Sequence, residues 1–387
     1  MTPAARLAAA IDILDHILTG EAAEKALTNW ARRSRFAGSK DRAAVRDHVF
    51  DALRCLRSCA HLGGGQTGRG LILGLLRRQG MDPSEMFTGT GHAPAPLSPS
   101  EMNQPEPPSG NVALDCPDWI APRLQASLGD DFAPICHALQ SRAPVFLRVN
   151  ALKASRDQAA KVLADEGIQT RPHPLSPSAL QVTQNPRRVQ QSAAYQNGLV
   201  ELQDAASQAV VDLLPLQPGS RVLDYCAGGG GKVLAMASRM KAGYFAHDAN
   251  PKRMQTIPER AKRAGASVTI LQPEALKNAP AFDLVLCDVP CSGSGSWRRS
   301  PAAKWDLRQS DLDDLRRIQA EILDNAAALL TPAGVLAYST CSLLDEENFA
   351  QIDAFLTRNP GWSAKIQRKF TPLDGGDGFF VAILTRE

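Results

Sequence analysis

The 387-residue chain has no Cys-x-x-Cys pair, and its eight cysteines (Cys55, Cys59, Cys116, Cys136, Cys226, Cys287, Cys291 and Cys341) are sparse for its length. Such spacing excludes a disulfide scaffold and offers no zinc site, so no metal is expected and a cysteine with a special role should be catalytic. No run approaches the ~20 apolar residues that span a bilayer. The opening MTPAARLAAAIDILDHIL carries acids within its apolar stretch, where a secretory signal would place bases ahead of one. A cytoplasmic protein without membrane partners is therefore expected. No repeat occurs at a solenoid period. With 44% hydrophobic and 21% charged residues the chain should build real cores, and its length calls for two or three compact units.

Charge is unevenly spread. Residues 1 to 80 hold 13 Lys/Arg against 7 Asp/Glu, and residues 81 to 110 hold four acids and no Lys or Arg. An N-terminal basic patch of this kind fits a polyanionic partner or a solvated helical face alike. Leu7, Ile11, Leu14 and Leu18 recur at helical spacing, as do Val45, Val49, Leu53 and Leu56, which predicts an all-helical domain over residues 1–80. Basic side chains are densest from Arg32 to Arg46, where Gly38 and Ser39 should end one helix and start the next. Seven prolines within 81–110 predict a linker. A helical stretch near Asp118 to Gln140, a strand at Val145 to Val149 and a helix at Arg156 to Glu166 then suggest a small α+β domain over 111–205.

From Gln217, within a last domain expected over 206–387, the pattern is regular. Apolar runs at Arg221–Cys226, Tyr244–His247, Val268–Leu271, Asp283–Cys287 and Val335–Ser339 alternate with helix-period stretches. Such alternation predicts an α/β fold with a doubly wound, mainly parallel, Rossmann-like sheet that binds ligands at the carboxyl ends of its strands. The motifs sit at those ends. Asp224-Tyr-Cys226-Ala227-Gly228-Gly229-Gly230-Gly231-Lys232 follows the first strand, a turn in which backbone can approach a ligand closely. It is neither a P-loop nor a full GxGxxG. Asp248 ends the second strand, placed to accept hydrogen bonds from ribose hydroxyls or to cap the helix before Pro251. Asp288-Val-Pro-Cys291 ends the fourth strand and Thr340-Cys341 the fifth. Neighbouring strands lie ~4.8 Å apart, so both thiols can face one pocket, whereas Cys287 inside its strand is expected in the core.

Together these segments, with Trp297-Arg-Arg-Ser-Pro-Ala-Ala-Lys-Trp305, resemble the Nol/Nop/Sun family of RNA cytosine carbon-5 methyltransferases. Phe146-Leu-Arg148-Val-Asn150 and Gly198–Ser207 resemble the family's preceding small domain. The basic helical N-terminus resembles the NusB-like RNA-binding domain of the subfamily acting on small-subunit ribosomal RNA. The resemblance implies S-adenosylmethionine as cofactor, held by Asp224, Cys226, Ala227, Gly228, Gly229, Gly230, Gly231, Lys232, Asp248, Gln272 and Asp288. It also implies an RNA partner for a monomeric enzyme. Two departures stand out. Gly228-Gly229 replace the family's usual Ala-Pro, which predicts a looser loop, and Gln272 stands where an Asp near the adenine is usual.

The chemistry independently calls for these residue types. Carbon-5 of cytosine is a poor nucleophile, so a thiolate must first add at carbon-6, and a base must later remove the carbon-5 proton. The resemblance assigns attack to Cys341 and release to Cys291. Asp288 would hydrogen-bond the ring nitrogen, and Lys232 would position the cytidine or lower a thiol pKa. A DNA cytosine methyltransferase would use the Pro-Cys cysteine, Cys291, as nucleophile. A transfer-RNA methyltransferase and a non-catalytic RNA-binding assembly factor remain open readings.

Overall fold

A computed structural model describes residues 1–387. The chain forms two compact units: Met1–Arg142 with Trp297–Asp306, and Ala143–Ser296 with Leu307–Glu387. No helix is long and apolar enough to cross a membrane.

The first unit is helical. Helices Pro3–Leu18, Ala23–Arg33, Ser39–Arg54, Leu56–Gly63 and Gly68–Arg78 bury Leu7, Leu14, Val45, Val49, Leu53 and Leu56 as their spacing predicts. Thr2 Oγ1 caps the first by accepting from Ala5 N at 3.2 Å, and Asp41 accepts from Gly38 N at 3.2 Å to start the third. The proline-rich stretch expected as a linker is instead a strap on this unit. Phe87 is buried in the helical core, and Arg69 donates to the Ala95 and Pro96 carbonyls at 3.0 Å and to Glu101 at 2.7 Å. Proline denies the strap regular structure without denying it a binding surface. Residues 111–142, which the sequence joins to the α+β domain, group with these helices through Asp115, whose carboxylate accepts from Ser58 N (2.9 Å), Ser58 Oγ (2.8 Å) and Gln140 Nε2 (2.9 Å).

A distant segment completes this unit. Lys304 is buried and donates to the Arg54 and Asp115 carbonyls at 3.1 and 2.8 Å, while the Trp305 indole donates to Leu53 O at 2.7 Å. Arg54 Nε returns a bond to Arg298 O at 2.7 Å. Residues that read as part of the methyltransferase sheet's sequence thus belong to the helical core.

The second unit contains two sheets. β1 (Val145–Val149), β2 (Thr170–Pro172), β3 (Ala179–Val182) and β4 (Val200–Leu202) form an antiparallel sheet in the order β2-β3-β1-β4. β5 (Arg221–Asp224), β6 (Gly243–Ala246), β7 (Thr269–Ile270), β8 (Phe282–Asp288), β9 (Leu330–Thr340), β10 (Trp362–Phe370) and β11 (Phe379–Arg386) form the larger one, ordered β10-β11-β9-β8-β5-β6-β7. β5 to β9 are mutually parallel, whereas β11 runs antiparallel to β9 and to β10. The strand order reverses beside β5, so the crevice at the carboxyl ends of β5 and β8 is the topological switch point.

The two sheets pack as one unit across the expected boundary at 205/206. Asn150 Nδ2 donates to Gly198 O (2.9 Å) and Ala264 O (2.8 Å), and buried Glu201 pairs with Arg260 at 2.7 Å and with Arg263. Asp204 caps the helix Ala205–Asp212 through Ala206 N at 2.8 Å, and the same oxygen accepts from Asp377 N at 2.9 Å.

Candidate active site

At the switch point the chain leaves β5 through Asp224, which is 1% exposed and has no hydrogen-bond partner on either carboxylate oxygen. Burial, then the charge of Asp288, push its pKa up to about 7. A buried carboxylate without donors is costly, and a cationic ligand group would offset that cost. The following turn requires glycine where φ is positive. Gly230 sits at φ +82°, and a Cβ there would lie 2.9 Å from the Ile257 side chain.

The loop expected to be loose is tied at four places. Asp248 Oδ2 accepts from Gly228 N at 2.9 Å, Arg260 donates to Gly229 O, and Arg148 from β1 donates to Gly231 O at 2.6 Å and to Gln203 Oε1 at 2.7 Å. Asp248 also accepts from Asn250 N at 2.9 Å and faces Arg253 at 3.2 Å. It does not cap the turn at Pro251; Asn250 does, accepting from Lys252 N at 3.2 Å. Ala227 N donates to His247 O at 2.8 Å, holding the loop against the end of β6. Cys226 lies in the same loop, and burial raises its pKa, as expected of an unreactive thiol. Gln272 is exposed just past β7, at the start of the short helix Pro273–Lys277.

Beyond β8 and β9 the structure brings the two expected cysteines together. The strands pair in parallel with Asp288 opposite Ser339, and the Cys291 and Cys341 sulfurs stand 3.4 Å apart. Their surroundings differ. Cys341 has its pKa lowered by the hydrogen bond from Cys291, with further help from Lys232 and from the Ser296 hydroxyl at 3.9 Å. Cys291 is pushed up, by that same hydrogen bond, by burial and by the carboxylate of Glu347. Within the pair Cys341 is held lower, where the Lys232 ammonium acts on it, and Cys291 higher, where the Glu347 carboxylate does.

Lys232, buried at the start of the helix Gly231–Arg239, donates to Asp288 Oδ2 at 2.7 Å and lies over the Phe379 ring at 5.0 Å. Burial pulls its ammonium down, but Asp288, Asp224 and Cys341 outweigh this and keep its pKa raised. Cys287 is fully buried in β8.

Beneath the thiols lies a network the motifs do not reveal. Glu347, 0% exposed, accepts from Ser292 N (2.8 Å), Ser292 Oγ (2.5 Å), Ser342 Oγ (2.5 Å) and Gln319 Nε2 (2.9 Å). Each serine directly follows one of the paired cysteines, so one carboxylate fixes both loops. The Cys291 loop is further stitched down where Gly295 N donates to Cys341 O and Gly378 N to Gly295 O, both at 2.9 Å. A Cβ on Gly295 would fall 2.3 Å from Gly378 O, so only glycine fits there. The repeated Cys-Ser dipeptide is the sequence signal that could have pointed to Glu347. Arg148, in the quoted Phe-Leu-Arg-Val-Asn run, offered no signal of its contact with the glycine loop.

Two family models match the chain. One, described as 16S rRNA methyltransferase RsmB/F, covers residues 211–385, and the other, an RsmF/B-like ferredoxin-like domain, covers residues 116–190. The curated relative named ribosomal RNA small subunit methyltransferase B, from Salmonella arizonae, is 37% identical over 287 residues, which are 70% of this chain and 66% of the relative. The chain therefore spans just under two thirds of the length of that relative. Among solved structures, PH0851 matches 100% of this chain and 99% of its own with a TM-score of 0.78 and 22% identity, a likeness of fold. A methyltransferase homologue protein from Pyrococcus horikoshii covers 75% of this chain and 100% of its own, with a TM-score of 0.63 and 25% identity. Read with the paired cysteines and the glycine loop, these matches make the chain similar to the RsmB/F methyltransferase family over residues 116–190 and 211–385.

Proposed function

We propose that this chain methylates carbon-5 of a cytosine in small-subunit ribosomal RNA through a covalent cysteine–cytosine intermediate, acting as a monomer with S-adenosylmethionine as cofactor. The observation that carries the reading is the pair of thiols 3.4 Å apart, in opposite electrostatic surroundings, beside the Lys232–Asp288 pair. One thiol would serve many chemistries. Two suit a reaction in which one sulfur adds to a ring and a second base completes its departure.

The residues present fit the cofactor. The unpartnered oxygens of Asp224 would suit its cationic amino group and the glycine loop leaves room for close approach, while Asp248 would serve the ribose and Gln272 the adenine. When bound, S-adenosylmethionine supplies an electrophilic methyl group. In this reading the Cys341 thiolate adds to carbon-6 of the cytosine, forming a carbon–sulfur bond. As that bond forms, the ring nitrogen takes a proton from solvent and donates a hydrogen bond to Asp288, so that electron density moves to carbon-5 without charge building on the ring. Lys232 orients Asp288 and favours the Cys341 thiolate. Once carbon-5 carries its methyl group, Cys291, after giving its own proton to solvent, takes the carbon-5 proton as a thiolate, the carbon–sulfur bond breaks, and Cys341 leaves as thiolate. The helical unit carries the RNA-binding role.

Transfer of labelled methyl groups to isolated small-subunit ribosomal RNA, located by bisulfite sequencing, tests this. The expected result is one or a few modified cytosines in that RNA. Label found only in transfer RNA, or in no RNA, would overturn the substrate or the activity respectively.

A further inference from the structure

The helical unit has a cleft of its own. A cavity of about 1290 Å³ opens between the helix Pro3–Leu18, the end of the helix Ala23–Arg33 and the strap at Thr90–Ala93. Trp30 and Phe36 line it, and Phe36 is 77% exposed, the most exposed large apolar side chain of the chain. Leaving a phenylalanine ring in water forgoes its contribution to the core, so folding gives no reason for it.

The charge around the ring is selective. The basic cluster singled out in the sequence divides in two. Arg46 is held by both oxygens of Glu24, and Arg42 is bound to the Ala37 carbonyl. Arg32, Arg33, Arg35 and Lys40 are all exposed and have no ion pair, and Arg33 lines the cleft beside Phe36. Of the four only Arg33 lines the cavity, the others lying within seven residues of it in the chain; Asp12, which also lines it, offers a carboxylate with no hydrogen-bond donor. An aromatic face, cations free to meet phosphates and an acceptor for exocyclic amines together match the three parts of a nucleotide. An apolar peptide would leave Arg33 and the neighbouring cations uncompensated.

We propose that this cleft docks an unpaired segment of RNA, with a base stacked on Phe36 and the flanking phosphates on Arg33, Arg35 and Lys40. The proposal rests on the reading that the substrate is RNA, and extends it to a site within the helical unit. The occupant is single-stranded because a paired base has no free face to stack.

The test uses the full chain and a fluorescent single-stranded RNA oligonucleotide, with a duplex of the same sequence as control, titrated by anisotropy at several salt concentrations. Phe36→Ala should weaken single-strand binding at least about fivefold, the lower range for one base stacked on an aromatic, with the salt slope unchanged. Phe36→Trp should restore it. Arg33→Gln and Arg35→Gln should each flatten the log–log salt slope by about 0.7. Phe36 is a surface residue, so these variants should melt like the parent. Affinity within twofold of the parent in Phe36→Ala would overturn the proposal, as would a change confined to self-association, which would assign the cleft to a protein partner. If the parent methylates RNA while Phe36→Ala binds it normally, only this inference falls. If Phe36 governs binding but the parent transfers no methyl group, only the functional reading falls.

Discussion

Replacing Glu347 by alanine removes the acceptor shared by four donors beneath the paired thiols. Not all four are left bare. The Ser292, Ser294 and Ser342 hydroxyls already lie 3.1–3.2 Å from one another and can re-pair, and Gln319 Nε2 also donates to Pro290 O at 2.9 Å. The uncompensated losses are the Ser292 amide and the charge-assisted bonds themselves. At roughly 1–3 kcal/mol for an orphaned buried group and about 1.5–3 for a bond to a charged one, the variant should lose on the order of 3–5 kcal/mol. Glu347→Gln differs instructively. Its carbonyl can take the place of Oε1 before Ser292 N and Gln319, while its amide faces two hydroxyls free to turn and accept, so the geometry survives at a cost of about 1–2 kcal/mol.

Activity should therefore split between the two variants. In the alanine variant both cysteine loops lose their common anchor, and a displacement of ~1 Å costs about a hundredfold in rate. The glutamine variant should keep most of the rate but change its pH dependence. Glu347 is one of the groups that raise Cys291, so neutralising it lowers that thiol's pKa, and the limb of the release step that requires deprotonated Cys291 should move to lower pH. Single-turnover release measured across pH, with thermal melts alongside, reads both effects. A glutamine variant as slow as the alanine one, with its pH limb unmoved, would refute the positioning role.

Other expectations follow from the same geometry. Cys341→Ala should form no covalent RNA complex, whereas Cys291→Ala should attack and methylate but accumulate an adduct that survives denaturing electrophoresis; the reverse pattern would make Cys291 the nucleophile. Asp248→Ala should weaken S-adenosylmethionine binding by roughly 1.5–3 kcal/mol in a folded protein, and unchanged affinity by calorimetry would remove Asp248 from the cofactor site. Asp224 has its pKa raised to about 7, so its contribution to stability is complete below the ordinary carboxylate range and is lost as pH rises through about 7. Melting temperatures of the ligand-free protein should fall between pH 5 and 8 more steeply than those of Asp224→Asn, and equal slopes would show that the carboxyl is not perturbed.

Much of the large sheet is legible because β5 to β9 read as apolar runs divided by helical periods, and the motifs fall at their ends. The last two strands are not. Phe379–Leu384 is continuously apolar because β11 lies between β9 and β10, and a short buried run cannot be told from a buried helix by period alone. The thiols were visible because few side chains other than cysteine do their chemistry. Glu347 was hidden, since an acid within Asp345-Glu-Glu347 looks like solvated surface until the fold buries it. Arg148 was hidden for a related reason: its partner is a backbone carbonyl 83 residues away, and backbone has no sequence signature.

The discontinuity of the helical unit has a consequence for biosynthesis. Its last pieces, Lys304 and Trp305, leave the ribosome 162 and 163 residues after Arg142. At about 5–20 residues per second that is a wait of roughly 8–33 s. Throughout it, the carbonyls of Leu53, Arg54 and Asp115 lack the donors that satisfy them in the finished protein, and the apolar surface that receives Ala302 and Trp305 stays uncovered. The N-terminal helices can collapse early, but they become a finished domain only when most of the chain has been made, which leaves a nascent chain with a long-lived docking surface for chaperones.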